Sequence, residues 1–203
     1  MQTTAVNFLK EFVTNPQKVG AITPSSEELA AALARSIEWE RVRLAAEYGA
    51  GLGSITTAIV ELIGDRDFFA IELNRAYADA LTEQFPDLPV YRDSVANIET
   101  ILAAHLAERT DETQLDAPTK IDAIISSLPW ANFSDELQDE LLDATMRVLA
   151  PTGQFATFSY VHGLLLKSGL RFREKLERRF RTVSRSGVVW RSIPPAVVYH
   201  CER

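Results

Sequence analysis

The feature that most constrains this chain is a glycine-rich turn at residues 47–53, whose sequence is EYGAGLG. An apolar run at 42–46 precedes the turn and is typical of a buried parallel strand. A helical pattern at 54–63 follows it, with Ser54 as the expected capping residue. A strand, a glycine turn and a helix begin a βαβ unit, in which nucleotide-like ligands bind at the carboxyl end of the strand. We therefore expect a ligand site here, the alternative being a tight turn without a ligand.

The spacing of the glycines separates this turn from the dinucleotide fingerprint. The pattern is GxGxG with an acidic residue, Glu47, two positions before the first glycine. In the dinucleotide fingerprint, GxGxxG, the third glycine falls one residue later. Glycine allows backbone angles that a Cβ would forbid and lets a ligand lie against bare backbone. The turn suits a ligand whose cationic or zwitterionic end faces Glu47, and S-adenosylmethionine (SAM) has such an end.

Acidic residues follow the next two predicted strands. Residues 67–74 indicate a second buried strand that ends with Glu72, and residues 88–92 a third that is followed by Asp93. A carboxylate at the end of the second strand can accept hydrogen bonds from both ribose hydroxyls of an adenosine. Asp93 can bond the adenine amino group, cap the next helix, or do both, whereas Asn74 is the more natural cap after the second strand. The cofactor-binding residues that we expect are Glu47, Gly49, Ala50, Gly51, Gly53, Glu72, Leu73, Asp93, Ser94 and Ser126.

The fourth predicted strand, 121–127, runs into a proline at Pro129. Proline does not belong inside a central strand, so the chain is expected to leave the sheet here, at its carboxyl edge. Residues 126–130 would then lie beside the SAM methyl group, where a substrate must enter. Trp130 in that position would exclude water and offer a π face to an ammonium group. Packing in the core is the equal alternative for Trp130.

The whole pattern predicts an α/β fold, a Rossmann-like sheet of seven strands with helices on both faces and the last strand antiparallel. We expect one compact unit, with N-terminal helices and a cofactor lid at 1–38 and the main domain at 39–203. The lid is the segment 20–26. Ser25 or Ser26 is expected to cap the helix after it, with Glu28 three residues after Ser25 completing a capping box. No group of Cys, His and acidic residues has the spacing of a metal site.

The net charge of the 203 residues is −7, yet the segment 167–191 is basic. An acidic protein with one basic band is not a general nucleic-acid binder, and the band suits an anionic lipid surface; a solvated helix face is the alternative. No apolar run reaches membrane-spanning length and no signal peptide is evident, so a cytoplasmic location is expected. The single cysteine, Cys201, excludes an internal disulfide. The expected membrane-contacting residues are Arg171, Arg173, Lys175, Arg178, Arg179 and Arg181.

The combined motifs resemble class I SAM-dependent methyltransferases and, among them, the membrane-peripheral bacterial phospholipid N-methyltransferases. The residues that carry the second resemblance are NP at 15–16, VGAITPSS at 19–26, SLPW at 127–130, FSY at 158–160 and PPAVVY at 194–199. The resemblance implies stepwise methylation of the phosphatidylethanolamine amine toward phosphatidylcholine, at the inner face of the membrane. The open alternatives are an rRNA adenine N6-methyltransferase, a methyltransferase of another aminolipid or a small amine, and a protein that binds SAM without catalysis.

This resemblance also places residues at the reacting amine. Tyr160 ends the predicted fifth strand within the FSY motif and is expected to contact and orient the amine, with Ser127 and Trp130 beside it. His162 could assist loss of the amine proton, although a surface role is simpler. A related branch, the rRNA adenine dimethyltransferases, has an Asn-Leu-Pro-Tyr-like motif after the fourth strand. Ser127 replaces that Asn and lacks the amide carbonyl that would receive an adenine amine.

Overall fold

The computed structural model describes residues 26–108 and 118–203. The expected N-terminal helix within 1–19, and the proposed lid at 20–26 apart from Ser26, lie outside the described residues. The division of the chain at residue 38 therefore remains a prediction.

One seven-stranded sheet forms the centre of the molecule, in the strand order β3-β2-β1-β4-β5-β7-β6. Strands β1 to β5 run parallel to one another, whereas β7 lies antiparallel between β5 and β6. The predicted sheet, including its antiparallel last strand, is confirmed. The strands are β1 (Leu44–Tyr48), β2 (Asp67–Ile71), β3 (Val90–Tyr91), β4 (Ile121–Ser126), β5 (Leu149–Tyr160), β6 (Thr182–Arg185) and β7 (Ala196–Glu202).

Helices cover both faces of the sheet, as predicted. On one face α1 and α2 pack on residues such as Ala45, Ile125 and Val198. On the other face α4, α5 and α6 bury a larger cluster that includes Phe69 and Phe155. None of the helices in the described residues is long and apolar enough to cross a membrane. The helices are α1 (Glu27–Ala34), α2 (Ser54–Ile63), α3 (Arg75–Gln84), α4 (Ile98–Ala107), α5 (Asp135–Val148) and α6 (Lys167–Arg179).

Side-chain caps fix three of the helix starts. Ser26, Asn74 and Ser134 accept backbone N–H groups in the first turns of α1, α3 and α5 respectively. Of the two serines expected as the cap of α1, Ser26 takes that position, so the capping box that starts at Ser25 is not the one used. Since Ser26 is the cap, Leu29 is the residue whose N–H it satisfies.

Two predicted boundaries are also wrong, one at β1 and one at the start of α2. The first strand begins at Leu44 and runs to Tyr48, since β1 pairs residue by residue with β2 up to Ile71. Glu47 is consequently a strand residue and not part of the turn. At the start of α2 the capping position is Gly53, in a left-handed conformation, and Ser54 is the first residue of the helix.

The basic helix α6 packs against an acidic face of α5. Lys175 is buried, and its Nζ lies 2.7 Å from Asp139 Oδ2 and 2.5 Å from the backbone oxygen of Asp135. Arg179 lies 2.9 Å from Asp139 and 2.8 Å from Asp143. The prediction that Lys175 and Arg179 contact a membrane is wrong for this reason: their charges are used between the two helices.

The other four residues of the expected basic surface are more exposed, but each has an acidic partner. Such pairing lowers the positive potential that the sequence alone suggests, since each partner carries the opposite charge. The pairs are Arg171–Asp135 at 2.9 Å, Arg173–Glu177 at 2.7 Å, Arg178–Glu174 at 3.4 Å and Arg181–Glu202 at 3.2 Å.

We expect Lys175→Ala to lower the free energy of unfolding by about 1–3 kcal/mol, because it removes a buried hydrogen-bonded cation between α5 and α6. Arg178→Ala, which removes an exposed ion pair of α6, should change it by less than about 0.5 kcal/mol. Urea unfolding monitored by circular dichroism measures both values. Equal effects of the two substitutions would contradict the packing described here.

Candidate active site

The glycine turn lies at the carboxyl end of β1, and the adjacent β2 holds it in place. The backbone N–H groups of Gly49 and Ala50 donate to the carbonyl of Ile71 at 2.8 and 3.3 Å. Gly49 has a φ of 74°, and a Cβ at this position would lie only 2.9 Å from Leu128. Gly53 has a φ of 85°. Glycine is therefore required by conformation and by space, and the backbone of the turn is bare on its outer side.

Glu72 follows β2 and links the turn to the start of α3. Its Oε2 accepts the N–H of Gly51 at 2.8 Å, and its Oε1 accepts the N–H of Asn74 at 2.7 Å. Burial raises the pKa of Glu72, and hydrogen bonds from the backbone of Asn74, Gly51 and Leu73 oppose that rise. Each carboxylate oxygen retains a further lone pair. The carboxylate is thus fixed beside the glycine turn with acceptor capacity remaining.

Glu47 lies underneath the turn and does not face its outer side. The side chain is fully buried, and Oε2 accepts the hydroxyl of Thr56 at 2.7 Å. Oε1 has no hydrogen-bond partner among the residues that the structure describes. Burial raises the pKa of Glu47 to about 8, and the nearby charge of Glu72 adds to that rise. The expectation that Glu47 faces a ligand directly needs correction, because its position within β1 turns the side chain toward α2.

Asp93 and Ser94 form the first turn after β3. Asp93 Oδ1 accepts the N–H of Ser94 at 2.6 Å and the side-chain amide of Asn97 at 2.9 Å. Ser94 is buried, and its hydroxyl accepts the N–H of Ala96. Asp93 therefore holds the turn through one carboxylate oxygen and leaves the other for a ligand. The predicted role of Asp93 as a helix cap is wrong, because Ser94 caps the short turn at Val95–Asn97 and Asn97 precedes α4.

The side-chain hydroxyls of the two serines at the end of β4 form hydrogen bonds within the protein. Ser126 is fully buried; its hydroxyl accepts the indole N–H of Trp130 at 3.0 Å, and its carbonyl accepts the hydroxyl of Thr157 at 2.9 Å. The prediction that Ser126 binds cofactor is not supported by this placement. Ser127 donates its hydroxyl to the carbonyls of Tyr48 and Gly49. Ser127 thus supports the glycine turn from the side of β4.

Trp130 is a core residue. It is 2% exposed, and its ring stacks on Phe172 of α6 with a centroid distance of 5.1 Å. Phe133 and Phe155 contact it edge-on. Of the two predicted roles, the geometry favours packing, because the indole ring is covered by aromatic side chains and its N–H is bonded to Ser126.

Tyr160 is the last residue of β5 and lies half-buried at the same edge of the sheet. Its ring stacks on His162 with a centroid distance of 5.7 Å and contacts Phe158 edge-on. Within the described residues, the hydroxyl has no hydrogen-bond partner. Burial raises the pKa of Tyr160 above its usual value of 10.0. The phenol is therefore neutral at physiological pH and available to a ligand.

Sequence reasoning missed Thr56, which supplies the only hydrogen bond that Glu47 accepts from a described residue. A threonine on an otherwise apolar helix face, one turn after the glycines, was the available signal. His105 is a packed residue, and its ring nitrogens lie within hydrogen-bond distance of Tyr91 and Asp67. Within 26–108 and 118–203, no group of three or more His, Cys, Asp or Glu residues could hold a metal ion.

Solved structures define the class of the fold. The TehB-like SAM-dependent methyltransferase from Corynebacterium glutamicum aligns over 100% of both chains, with a TM-score of 0.56 and 15% identity. Magnesium protoporphyrin IX methyltransferase from Synechocystis, solved with bound SAM, aligns over 95% of this chain and 84% of its own, with a TM-score of 0.63 and 10% identity. The chain has the class I SAM-dependent methyltransferase fold, as predicted.

One curated protein is similar to this chain in sequence over nearly its whole length. Ornithine lipid N-methyltransferase of Singulisphaera acidiphila is 28% identical over 195 residues, which are 96% of this chain and 93% of that protein. No protein-family model matches the chain. The predicted resemblance to lipid N-methyltransferases is confirmed by this relative.

We expect the free energy of unfolding to fall as pH rises from about 5 toward 8, because the native state holds a proton on Glu47 that the unfolded state, with a pKa near 4.5, releases. The slope from this one group is at most about 1.4 kcal/mol per pH unit. Glu47→Gln keeps an acceptor for Thr56 and removes the titration, so its stability relative to wild type should increase with pH over this window.

Urea unfolding at several pH values between 5 and 9 measures these slopes. Glu61→Gln, on the exposed side of α2, is the matched control and should follow the wild type. Parallel curves for wild type and Glu47→Gln would contradict a protonated, buried Glu47.

Proposed function

We propose that the protein is a SAM-dependent N-methyltransferase whose acceptor is the primary amine of a membrane aminolipid. The observation that carries this proposal is the fixed carboxylate of Glu72 beside a bare glycine turn, at the edge of the sheet that also presents Tyr160. The full-length resemblance to an ornithine lipid N-methyltransferase supports the lipid as acceptor.

The residues at this edge fit SAM. Glu72 has acceptor capacity for two ribose hydroxyls, and the second oxygen of Asp93 suits the adenine amino group. Gly49, Gly51 and Gly53 present bare backbone against which the methionine end can lie. The unpartnered Oε1 of Glu47, buried beneath the turn, suits the ligand's ammonium group through an ordered water. Leu73 and Ala50 supply apolar surface next to these groups.

SAM, when bound, supplies an electrophilic methyl group on a sulfonium centre. The chain's own task is to position a neutral amine in line with that methyl group, which is where most of the acceleration arises. The neutral hydroxyl of Tyr160 accepts a hydrogen bond from the amine N–H and so orients the nitrogen lone pair. The amine must lose a proton before transfer, and we propose that His162 takes it through water; its stacking on Tyr160 supports this role.

Two aminolipids are candidates for the acceptor. The motifs at 127–130 and 158–160 favour phosphatidylethanolamine, methylated stepwise toward phosphatidylcholine. The curated relative favours an ornithine lipid as the second candidate. Either acceptor places the enzyme at the cytoplasmic face of a membrane as a peripheral protein. The segments 1–38 and 20–26 remain proposed as N-terminal helices and a lid.

The test is transfer of label from methyl-labelled SAM to detergent-dispersed phosphatidylethanolamine, ornithine lipid and total RNA in separate reactions. We expect label in the phosphatidylethanolamine products, because its primary amine matches the proposed site. Label confined to ornithine lipid would select the second acceptor. Label in RNA, or in no acceptor while SAM binds, would contradict a lipid methyltransferase.

Two variants control this assay. Glu72→Ala should abolish both SAM binding and transfer, since the carboxylate holds the ribose and the turn together. Glu61→Ala, on the exposed side of α2, should retain both. Isothermal titration with SAM separates a loss of cofactor from a loss of chemistry.

A further inference from the structure

Five large apolar side chains near the end of β5 are exposed to solvent. Such side chains are individually common on surfaces, but a group of them at one edge indicates a binding surface. We name the group the apolar rim; its members are Leu165 at 86% exposure, Leu166 at 53%, Leu170 at 53%, Trp190 at 73% and Ile193 at 81%.

The rim comes from two segments that meet beside Tyr160. The N–H of Val161 donates to the carbonyl of Pro195 at 2.8 Å, and Tyr160 pairs with Ala196 across the β5–β7 ladder. The short helical turn at 161–165 and the loop before β7 are therefore neighbours. A Cβ on Gly169 would overlap the carbonyl oxygen of Gly163, so the start of α6 is packed tightly on that turn. The rim thus borders the edge at which the amine is proposed to react.

The charge around the rim is positive. Neither 159–173 nor 181–201 contains an acidic residue, although the whole chain carries −7. No described acidic residue is ion-paired with Lys167 or Arg185, whereas Arg171 is paired with Asp135 and Arg191 lies 3.6 Å from Glu28. Exposed apolar side chains flanked by cations match the interface of a bilayer that contains anionic lipids.

We propose that the apolar rim inserts into the surface of a lipid bilayer and holds the active site against the headgroups. This rests on the proposed function, since a lipid acceptor stays in the membrane and its amine must reach Tyr160 from there. Trp190, amphipathic and exposed, is suited to the headgroup level. A second copy of the chain is a poorer occupant, because it would bring two acid-free cationic segments together. The attachment surface is accordingly the end of β5 and the loop before β7, not the ion-paired side of α6.

Trp190 reports insertion directly. The chain has three tryptophans, and Trp39 and Trp130 are buried at 7% and 2% exposure. Vesicles of phosphatidylethanolamine and phosphatidylglycerol with brominated acyl chains should therefore quench Trp190 emission and shift it to the blue. Trp190→Phe should lose that response. Absence of quenching in the wild-type protein would overturn the proposal.

A matched pair of variants tests the rim by vesicle sedimentation. Leu165→Ser with Ile193→Ser should weaken binding to these vesicles by about tenfold or more, since bound apolar area sets the affinity. Val60→Ser with Leu62→Ser removes two apolar side chains of α2, exposed at 45% and 38%, and should bind as wild type. Retained SAM binding shows that each variant is folded. Equal binding by both variants would contradict the rim.

Three further outcomes of these experiments each lead to a different conclusion. A dimer of the 22.6 kDa chain that becomes a monomer in the rim variant, by light scattering, would assign the surface to self-association and overturn the proposal. Methyl transfer to detergent-dispersed lipid without Trp190 quenching would reject the rim alone. Quenching without transfer to any lipid would support the rim and reject the proposed acceptor.

Discussion

The structure of the candidate active site depends on the carboxylate of Glu72, which accepts hydrogen bonds from the backbone N–H groups of Gly51 and Asn74. These two hydrogen bonds tie the glycine turn after β1 to the start of α3 after β2. Without them, the turn would be held on β2 only by its backbone bonds to Ile71. The same carboxylate is the group proposed to bind ribose, so stabilisation of the loop and recognition of the ligand rest on one side chain. Its burial keeps water from competing for either task.

A second carboxylate lies below this one and behaves differently. Glu47 is enclosed between β1 and α2, with a pKa near 8 and a single hydrogen bond from Thr56. Burial disfavours its charged form, and Glu72 disfavours it further. A cation bound above the turn would favour the charged form.

Much of this site follows from sequence, because strand ends and glycine spacing are local signals. The helix at Ser54–Ile63 and the acids after β2 and β3 lie where the periodicity predicts them. The role of Lys175 did not follow, since its partner Asp139 is 36 positions away on another helix. Trp130 is similar: a tryptophan after a strand fits a pocket or a core, and the stacking by Phe172 decides between them. Exposure of Leu165 and Ile193 likewise depends on which elements pack beside them.

The most direct measurement is a crystal structure of the protein with S-adenosylhomocysteine. We expect both ribose hydroxyls to lie within hydrogen-bond distance, about 3 Å, of the Glu72 carboxylate. We also expect the amino-acid end of the ligand to lie over the glycine turn at 49–53 and the adenine amino group to lie at Asp93. A ligand bound elsewhere, or a ribose out of reach of Glu72, would contradict the central claim.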